Sequence, residues 1–259
     1  MFAPALVSEV LERLSRAGCV AAEEETEELL VSAPDPSTLM AWVLRRERGE
    51  PLAWIVGCVC FVDRMVHVEP GVYVPRAQSA ELALRAADLL PERGRVADLC
   101  TGSGAIAAYL ASVRPSAAVV ASDIDARAVA CARSNGVSAV VADMDGGLAS
   151  GAFDVVCAVT PYVPTGAMHV LPADVTRYEP STALDGGPDG LDHVRRVVEG
   201  AARLLRAGGW LLTEIGGDQD TLVLPVLTSS GFTSPTFWHD EEGDLRGVAA
   251  RFVKQLRSP

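Results

Sequence analysis

The residues whose chemistry is easiest to read are a glycine-rich turn and the aspartates around it. Residues 98–105 read Asp-Leu-Cys-Thr-Gly-Ser-Gly-Ala and follow directly on a short apolar run. Glycines at the carboxyl end of a strand let the backbone approach a ligand closely. Asp123 lies near the spacing of an acid that binds a ribose. The pattern predicts a site for an adenosine-bearing ligand, built on Asp98, Gly102, Gly104 and Asp123.

The turn by itself fits two cofactors, because Gly-x-Gly-x-x-Ala also satisfies the dinucleotide fingerprint. The carboxylate of Asp98 would repel a pyrophosphate, whereas it can accept hydrogen bonds from the amino-acid end of S-adenosylmethionine. Asp123 is placed to accept from both ribose hydroxyls. Asp143, followed by Met144, is placed to accept from the adenine amino group. A single strand-end aspartate is often a helix cap, but three at successive strand ends favour S-adenosylmethionine.

The elements that must position these residues form an α/β pattern. From about residue 81, short apolar runs alternate with amphipathic helices, which predicts a doubly wound, mostly parallel sheet. After Gly231 two further strands, at 233–239 and 248–253, predict a closing antiparallel hairpin. Class I methyltransferase sheets end in this way, whereas many dehydrogenases add another βαβ unit. We therefore expect a Rossmann-like class I methyltransferase sheet of seven strands.

Two smaller segments precede this domain. Residues 1–48 show helical spacing of apolar positions, with Asp35 as a candidate N-cap, and we expect a small helical domain that recognises the substrate or partner. Residues 49–80 are rich in Val, Cys, Phe and Trp and predict a β-hairpin bridge. The methyltransferase domain is then expected over residues 81–259.

The composition of the 259-residue chain narrows the function classes. Its net charge is −12 and Lys254 is the only lysine, which argues against nucleic acid as a partner because phosphate binding needs clustered cations. No apolar run reaches the roughly 20 residues of a membrane span, and the amino terminus does not resemble a signal peptide, so we expect a cytoplasmic protein. The cysteine spacing predicts free thiols and no metal site.

Several blocks along the chain are shared with one family. They are Gly-Glu-Pro-Leu at 49–52, Val-Pro-Arg at 74–76, the turn at 98–104, Pro-Tyr-Val-Pro at 161–164, Tyr-Glu-Pro at 178–180, Leu-Asp-Gly-Gly-x-Asp-Gly-Leu at 184–191 and Glu-Ile-Gly at 214–216. With these the chain resembles the HemK-type protein-(glutamine-N5) methyltransferases, which modify release factors. The resemblance covers nearly the whole length, and the Tyr-Glu-Pro and Leu-Asp-Gly-Gly blocks are far more specific than a glycine turn.

The resemblance implies a helical partner-recognition domain, a class I methyltransferase domain and S-adenosylmethionine as the cofactor. Beside the acids and glycines of the turn, the predicted cofactor contacts are Arg76, Ser79, Thr101, Ile124 and Met144. The family has a Thr-Glu pair where this chain has Ser79 and Ala80. Glu214 ends the fifth strand of the domain, where it could face the active site or anchor a neighbouring loop.

The chain departs from the family at the acceptor motif, which reads Val159, Thr160, Pro161 and Tyr162 in place of Asn-Pro-Pro-Tyr. In the family the Asn side chain and the next backbone carbonyl accept hydrogen bonds from the glutamine amide, and the Tyr packs on it. Valine offers no acceptor, and Asn135 is the only asparagine in the chain. A lost buried hydrogen bond costs about 1–3 kcal/mol.

Three functional interpretations follow from this substitution. The first is a methyltransferase with an altered acceptor, either a specialised metabolite or a peptide, methylated on nitrogen or oxygen. The second is a glutamine methyltransferase of a release factor that tolerates Val159 through the Thr160 carbonyl and Tyr162. The third is a cofactor-binding regulator or scaffold without activity. A hydroxyl acceptor would need a general base, for which His169 is the first candidate, with His67 and His239 behind it.

Overall fold

A computed structural model describes residues 2–253, except for the side chains of residues 173 and 174. The first three helices enclose an apolar core of their own, in which Leu14, Leu29 and Leu39 are fully buried. Asp35 caps the third helix by accepting hydrogen bonds from the backbone N–H groups of Ser37 and Thr38. These helices are α1 (Pro4–Arg16), α2 (Ala22–Ser32) and α3 (Pro36–Glu47).

The bridge that follows contains a helix as well as the predicted hairpin. The hairpin pairs β1 (Cys58–Phe61) with β2 (Arg64–His67) in antiparallel register. Before it lies α4 (Leu52–Val56), which the strand-rich composition does not predict. Five residues form a helix here because its middle residues are buried against neighbouring segments. Gly57, with φ of 86°, ends the helix in the left-handed region.

The rest of the chain forms the predicted sheet of seven strands, in the order β5-β4-β3-β6-β7-β9-β8. The first five strands in that order run parallel, and β9 and β8 close the sheet antiparallel. The expected fold class is confirmed. The strands are β3 (Arg95–Leu99), β4 (Ala118–Asp123), β5 (Ala139–Val141), β6 (Phe153–Ala158), β7 (Leu205–Glu214), β8 (Phe232–His239) and β9 (Leu245–Phe252).

Helices cover both faces of this sheet, which explains why its central strands read as continuous apolar runs. One face packs against α9 and α10 through residues such as Val197 and Val223, and the other against α5 and α6 through Leu82 and Leu110. The helices are α5 (Ser79–Leu89), α6 (Ala105–Val113), α7 (Ala126–Ser134), α8 (Ala173–Tyr178), α9 (Asp192–Leu204) and α10 (Gln219–Ser229).

The strand order reverses between β3 and β6. From β3 the chain moves outward through β4 to β5, and it then returns to place β6 on the other side of β3. In sheets of this type the crevice at the carboxyl ends of such strands binds the ligand. The topology therefore places the glycine turn after β3 next to the acceptor motif after β6.

The division of the chain at residues 48/49 and 80/81 stays a prediction. The element bounds place the start of α5 at Ser79, two residues before the predicted start of the methyltransferase domain. Among residues 2–253, no helix combines the length and the apolar composition that crossing a membrane requires.

A glycine on β9 tests the packing at the closing end of the sheet. Gly247 pairs with Glu214 of β7, and a Cβ atom at Gly247 would overlap the buried indole ring of Trp238. We expect Gly247→Ala to lower the free energy of unfolding by about 2 kcal/mol, because overpacking displaces the ring. Urea titration measures this value. Gly166→Ala is the control, since its Cβ would have no atom within 4 Å, and equal effects of the two substitutions would contradict the packing.

Candidate active site

A cavity of about 960 Å³ lies along the carboxyl ends of β3, β4 and β6. Its wall includes Asp98, Asp123 and Asp143 on one side and the segment from Val159 to Tyr162 on the other. The cavity continues to the amino-terminal helices, where residues 17–21 and 46–49 line it. Except for Gly104 and His169, the predicted cofactor and acceptor residues thus line one shared space that also reaches the helical segment.

The glycine turn is fixed by the carboxylates beside it. The backbone N–H of Gly102 donates to Oδ2 of Asp123 at 2.9 Å, and the N–H of Asp125 donates to Oδ1 at 2.9 Å. The hydroxyl of Thr101 donates to Oδ2 of Asp98 at 2.5 Å. Gly104 is the N-cap residue of α6 with φ of 81°, and a Cβ there would come within 2.9 Å of the Ala132 methyl. Glycine is therefore required both for the backbone angle and for the close packing of α6.

A buried carboxyl, Asp98, and a half-buried one, Asp123, make this end of the cavity suited to a cation. Asp98 is 1% exposed, and burial raises its pKa to about 6, although hydrogen bonds from Thr101 and Cys157 act in the opposite direction. Burial also raises the pKa of Asp123, and the charge of Asp123 further disfavours ionisation of Asp98. A ligand with a positive charge would stabilise both carboxylates.

The predicted adenine contacts lie at the cavity wall in different surroundings. Asp143 forms an ion pair with Arg196, with 2.8 Å between Oδ2 and Nη2, so its carboxylate already has a cationic partner. Met144 is buried with φ of 52°, and its backbone oxygen accepts from the Ser122 hydroxyl at 2.7 Å. Ile124 lines the cavity and is 70% exposed, as expected of a side chain that could cover a ligand.

Arg76 also lines the cavity, but its guanidinium is already paired with the carboxylate of Glu179. Its guanidinium forms an ion pair with the buried carboxylate of Glu179 and lies 5.0 Å from the ring centre of Tyr73. This contact joins the Val-Pro-Arg block to the Tyr-Glu-Pro block. In the same block the Tyr178 hydroxyl donates to the backbone oxygen of Arg48 at 2.9 Å. The two blocks therefore fasten the helical segment to the cavity wall.

The acceptor motif is held by its backbone. The side-chain amide of Gln219 donates to the backbone oxygen of Tyr162 at 2.9 Å and to that of Asp189 at 3.1 Å. At Gly186 a Cβ would come within 2.8 Å of the Pro161 oxygen and within 2.8 Å of the Tyr162 Cα. The Leu-Asp-Gly-Gly block is thus a turn that packs closely against the motif, and this packing explains its glycines.

Glu214 lies behind the acceptor motif. The register of β6 and β7 ends with Ala158 opposite Thr213, so Val159 and Glu214 follow side by side. Glu214 is 3% exposed, and burial raises the pKa of its carboxyl to about 7, while the hydroxyls of Ser79 and Tyr162 lower it less. Ser79, a predicted cofactor contact, therefore lies between the cavity and this carboxyl.

The histidines are arranged differently from the sequence-based expectation. His169 is exposed on a 3-10 helix (Thr165–Val170), and neither it nor His67 or His239 is among the residues that line the cavity. His193 does line it, and its Nδ1 is buried with no hydrogen-bond partner among the described residues. Sequence reasoning missed His193 because it lies in an amphipathic helix. It missed Gln219 because nothing in the sequence of α10 marks that side chain.

Comparisons with known proteins show the family to which this chain belongs. The model of the family called methyltransferase small domain matches residues 65–167. A release factor glutamine methyltransferase from Neisseria gonorrhoeae is 37% identical over 221 residues, which cover 82% of this chain and 81% of that protein. This chain belongs to the HemK-type release factor glutamine methyltransferase family. It is a methyltransferase, and its cofactor is S-adenosylmethionine.

Solved structures at low sequence identity share the fold of this methyltransferase. A ribosomal protein L11 methylase from Lactobacillus delbrueckii subsp. bulgaricus matches with a TM-score of 0.52 at 15% identity, over 73% of this chain and 86% of that one. A 16S rRNA N2 G1207 methyltransferase from T. thermophilus, solved in complex with AdoMet and guanosine, matches with a TM-score of 0.50 at 20% identity, over 78% of this chain and 46% of that one.

The residues of this methyltransferase fit the charge pattern of its cofactor. Asp98 is a buried carboxyl at the place predicted for the amino-acid end, where an ammonium group would supply the missing cation. Gly102 leaves the space above the turn open, because a Cβ built there has no atom within 4 Å. The individual contacts assigned from the sequence stay predictions.

The raised pKa of Asp98 gives a testable pH dependence of cofactor binding. The ionised carboxylate attracts the ammonium group of S-adenosylhomocysteine, so affinity should rise with pH through about 6 and then level off. We expect the Kd at pH 5 to be about tenfold higher than at pH 7.5, as measured by isothermal titration calorimetry. Asp98→Asn should bind weakly at both pH values, and a wild-type Kd that is the same at both would contradict this electrostatic role.

Glu214 gives a second, independent pH dependence, this time of stability. Its pKa is about 7 when folded against an ordinary value of 4.5, so its ionisation opposes folding. This destabilisation is absent below pH 4.5, grows as pH rises and is complete above pH 7. We subtract the unfolding free energy of wild type from that of Glu214→Gln at each pH. This difference should be about 2–3 kcal/mol larger at pH 8 than at pH 5. Urea titrations of both proteins measure the difference, and a difference that does not change with pH would exclude a buried charge.

Proposed function

We propose that this methyltransferase acts on the side-chain amide nitrogen of a glutamine in a release factor. The observation that carries the proposal is the placement of the acceptor motif, whose Pro161–Tyr162 backbone is held at the wall of the cofactor cavity by a hydrogen bond from Gln219 and by packing against Gly186. The names of the similar curated proteins support the same acceptor. Of the three interpretations drawn from the sequence, this is the second.

The main contribution of the protein to this reaction is to position the amide nitrogen and the methyl group. When bound, S-adenosylmethionine would supply the methyl group of its sulfonium. The electron pair of the broken carbon–sulfur bond would remain on sulfur. The amide nitrogen forms the new bond to carbon and releases one proton to water. Tyr162 forms a wall for the amide, and the backbone oxygen of Thr160 is the acceptor that the resemblance assigns to it. Holding the nitrogen in line with the carbon–sulfur bond lowers the barrier, because the entropy cost of bringing the reactants together is already met on binding.

The partner implied by this proposal is a protein that enters the cavity from the side of the amino-terminal helices. Residues 17–21 and 46–49 extend the cavity wall beyond the cofactor end, so an inserted loop would contact both segments. A cytoplasmic location and the absence of a nucleic-acid partner belong to the same proposal. The net charge of −12 supports the latter.

A changed acceptor is the second candidate, and one observation favours it. The side chain of Val159 packs with the apolar residues against α5 and α6 and offers no hydrogen-bond acceptor. A metabolite or a peptide without a side-chain amide would not need one. In that case the family scaffold would serve a different nucleophile.

Methylation of a release factor separates the two candidates. We expect the wild-type enzyme to transfer labelled methyl from S-adenosylmethionine to a bacterial release factor, with the label located on one glutamine by peptide mass spectrometry. A release factor with that glutamine replaced by Glu is the control and should stay unlabelled. If S-adenosylhomocysteine binds but the release factor is never labelled, the glutamine proposal is wrong and the changed acceptor stands.

A further inference from the structure

Thr160 carries a buried hydroxyl that has no hydrogen-bond partner among the described residues. The residue is 2% exposed and follows β6 directly after Val159. Its Oγ1 has no partner within the part of the chain that the structure describes, although the residue lines the cofactor cavity. Burying a hydroxyl without a partner costs free energy, and most buried polar side-chain atoms in proteins are paired. A buried, unpaired hydroxyl on a residue that lines a cavity therefore points to a ligand group within its reach.

The neighbouring residue explains which ligand group this would be. Val159 lines the cavity and packs against the apolar layer of α5 and α6, and the valine side chain has no atom that can accept a hydrogen bond. A glutamine amide that packs against Tyr162 has two N–H donors and needs two acceptors. The Thr160 backbone oxygen can serve one of them. A threonine hydroxyl has two lone pairs, and a rotation of about 120° about χ1 would move it to the place of the methyl group without moving the backbone.

We propose that Thr160 determines acceptor specificity, because its Oγ1 accepts the amide hydrogen bond that residue 159 cannot accept. The inference rests on the proposed glutamine methylation. In this arrangement the side-chain acceptor has moved one position along the motif, from residue 159 to residue 160. Thr160 touches the acceptor and neither gives nor takes a proton in the transfer.

Substitution of Thr160 by its isostere tests the contact. We expect Thr160→Val to lower kcat/KM for release-factor methylation roughly 10- to 100-fold and to raise the Kd of the release factor for the S-adenosylhomocysteine-bound enzyme. Thr160→Ser keeps the hydroxyl and should stay within about threefold of wild type. The Kd of S-adenosylhomocysteine should not change in either variant, because the hydroxyl is assigned to the acceptor.

Stability separates a ligand contact from a structural role. The hydroxyl has no partner among the described residues, so we expect the melting temperature of Thr160→Val without ligand to be no lower than that of wild type. A hydroxyl that held the fold together would give a clear decrease. Such a decrease, or unchanged kinetics and release-factor binding in Thr160→Val, would overturn the proposal.

A double-mutant cycle with Val159→Asn gives the most specific result. Asparagine at position 159 restores a side-chain acceptor, so Thr160→Val should then cost less than about threefold in kcat/KM. The proposal would be wrong if Thr160→Val lowers kcat/KM equally with valine and with asparagine at position 159. That result would show that the two positions do not share one hydrogen bond. If the wild-type enzyme methylates no release factor at all, the proposed function itself is wrong. Activity in wild type with no effect of Thr160→Val contradicts only the role of Thr160.

Discussion

The parallel pairing of β3 with β6 is the constraint on which the site depends. Asp98 lies opposite Cys157 and Leu99 opposite Ala158 in that register, so the two strands end at the same level. The turn after β3 and the motif after β6 must then face each other across one crevice. A shift of register would separate the cofactor end from the acceptor end, even if every side chain were kept.

Contacts distant in sequence hold the acceptor side of this crevice in place. The ion pair between Arg76 and Glu179 spans 103 residues, and the hydrogen bond from Gln219 to Tyr162 spans 57. These contacts explain why blocks spread along the chain form one family pattern. Each block supplies a partner to another block, and few of them touch the reacting atoms themselves.

Much of the fold could be predicted from the sequence, because parallel strands and amphipathic helices leave periodic apolar patterns. The glycine turn and its acids were equally readable, since a turn with φ near 81° at Gly104 restricts the residue type. Helix α4 could not be predicted, because burial of Trp54 and its neighbours stabilises it and local propensity does not. His193 and Gln219 could not be predicted either, since their roles arise only from tertiary contacts.

The site combines a charged cofactor end with a nearly uncharged acceptor end. Asp98 supplies negative charge where the ammonium group of the cofactor is expected, and Asp123 supplies it where the ribose hydroxyls are expected. Val159, Thr160 and Tyr162 form an acceptor wall whose side chains carry no charge. This division suits a transfer in which the donor is cationic and the nucleophile neutral, because a low-dielectric surrounding strengthens each remaining hydrogen bond. The loss of the asparagine makes the remaining polar groups of the motif more important.

A crystal structure with S-adenosylhomocysteine bound tests the site most directly. We predict that its amino group contacts the Asp98 carboxylate, that its ribose hydroxyls contact Asp123, and that its sulfur points toward Tyr162. A ligand bound outside this cavity, or bound in it without contact to Asp98 or Asp123, would contradict the assignment of the site.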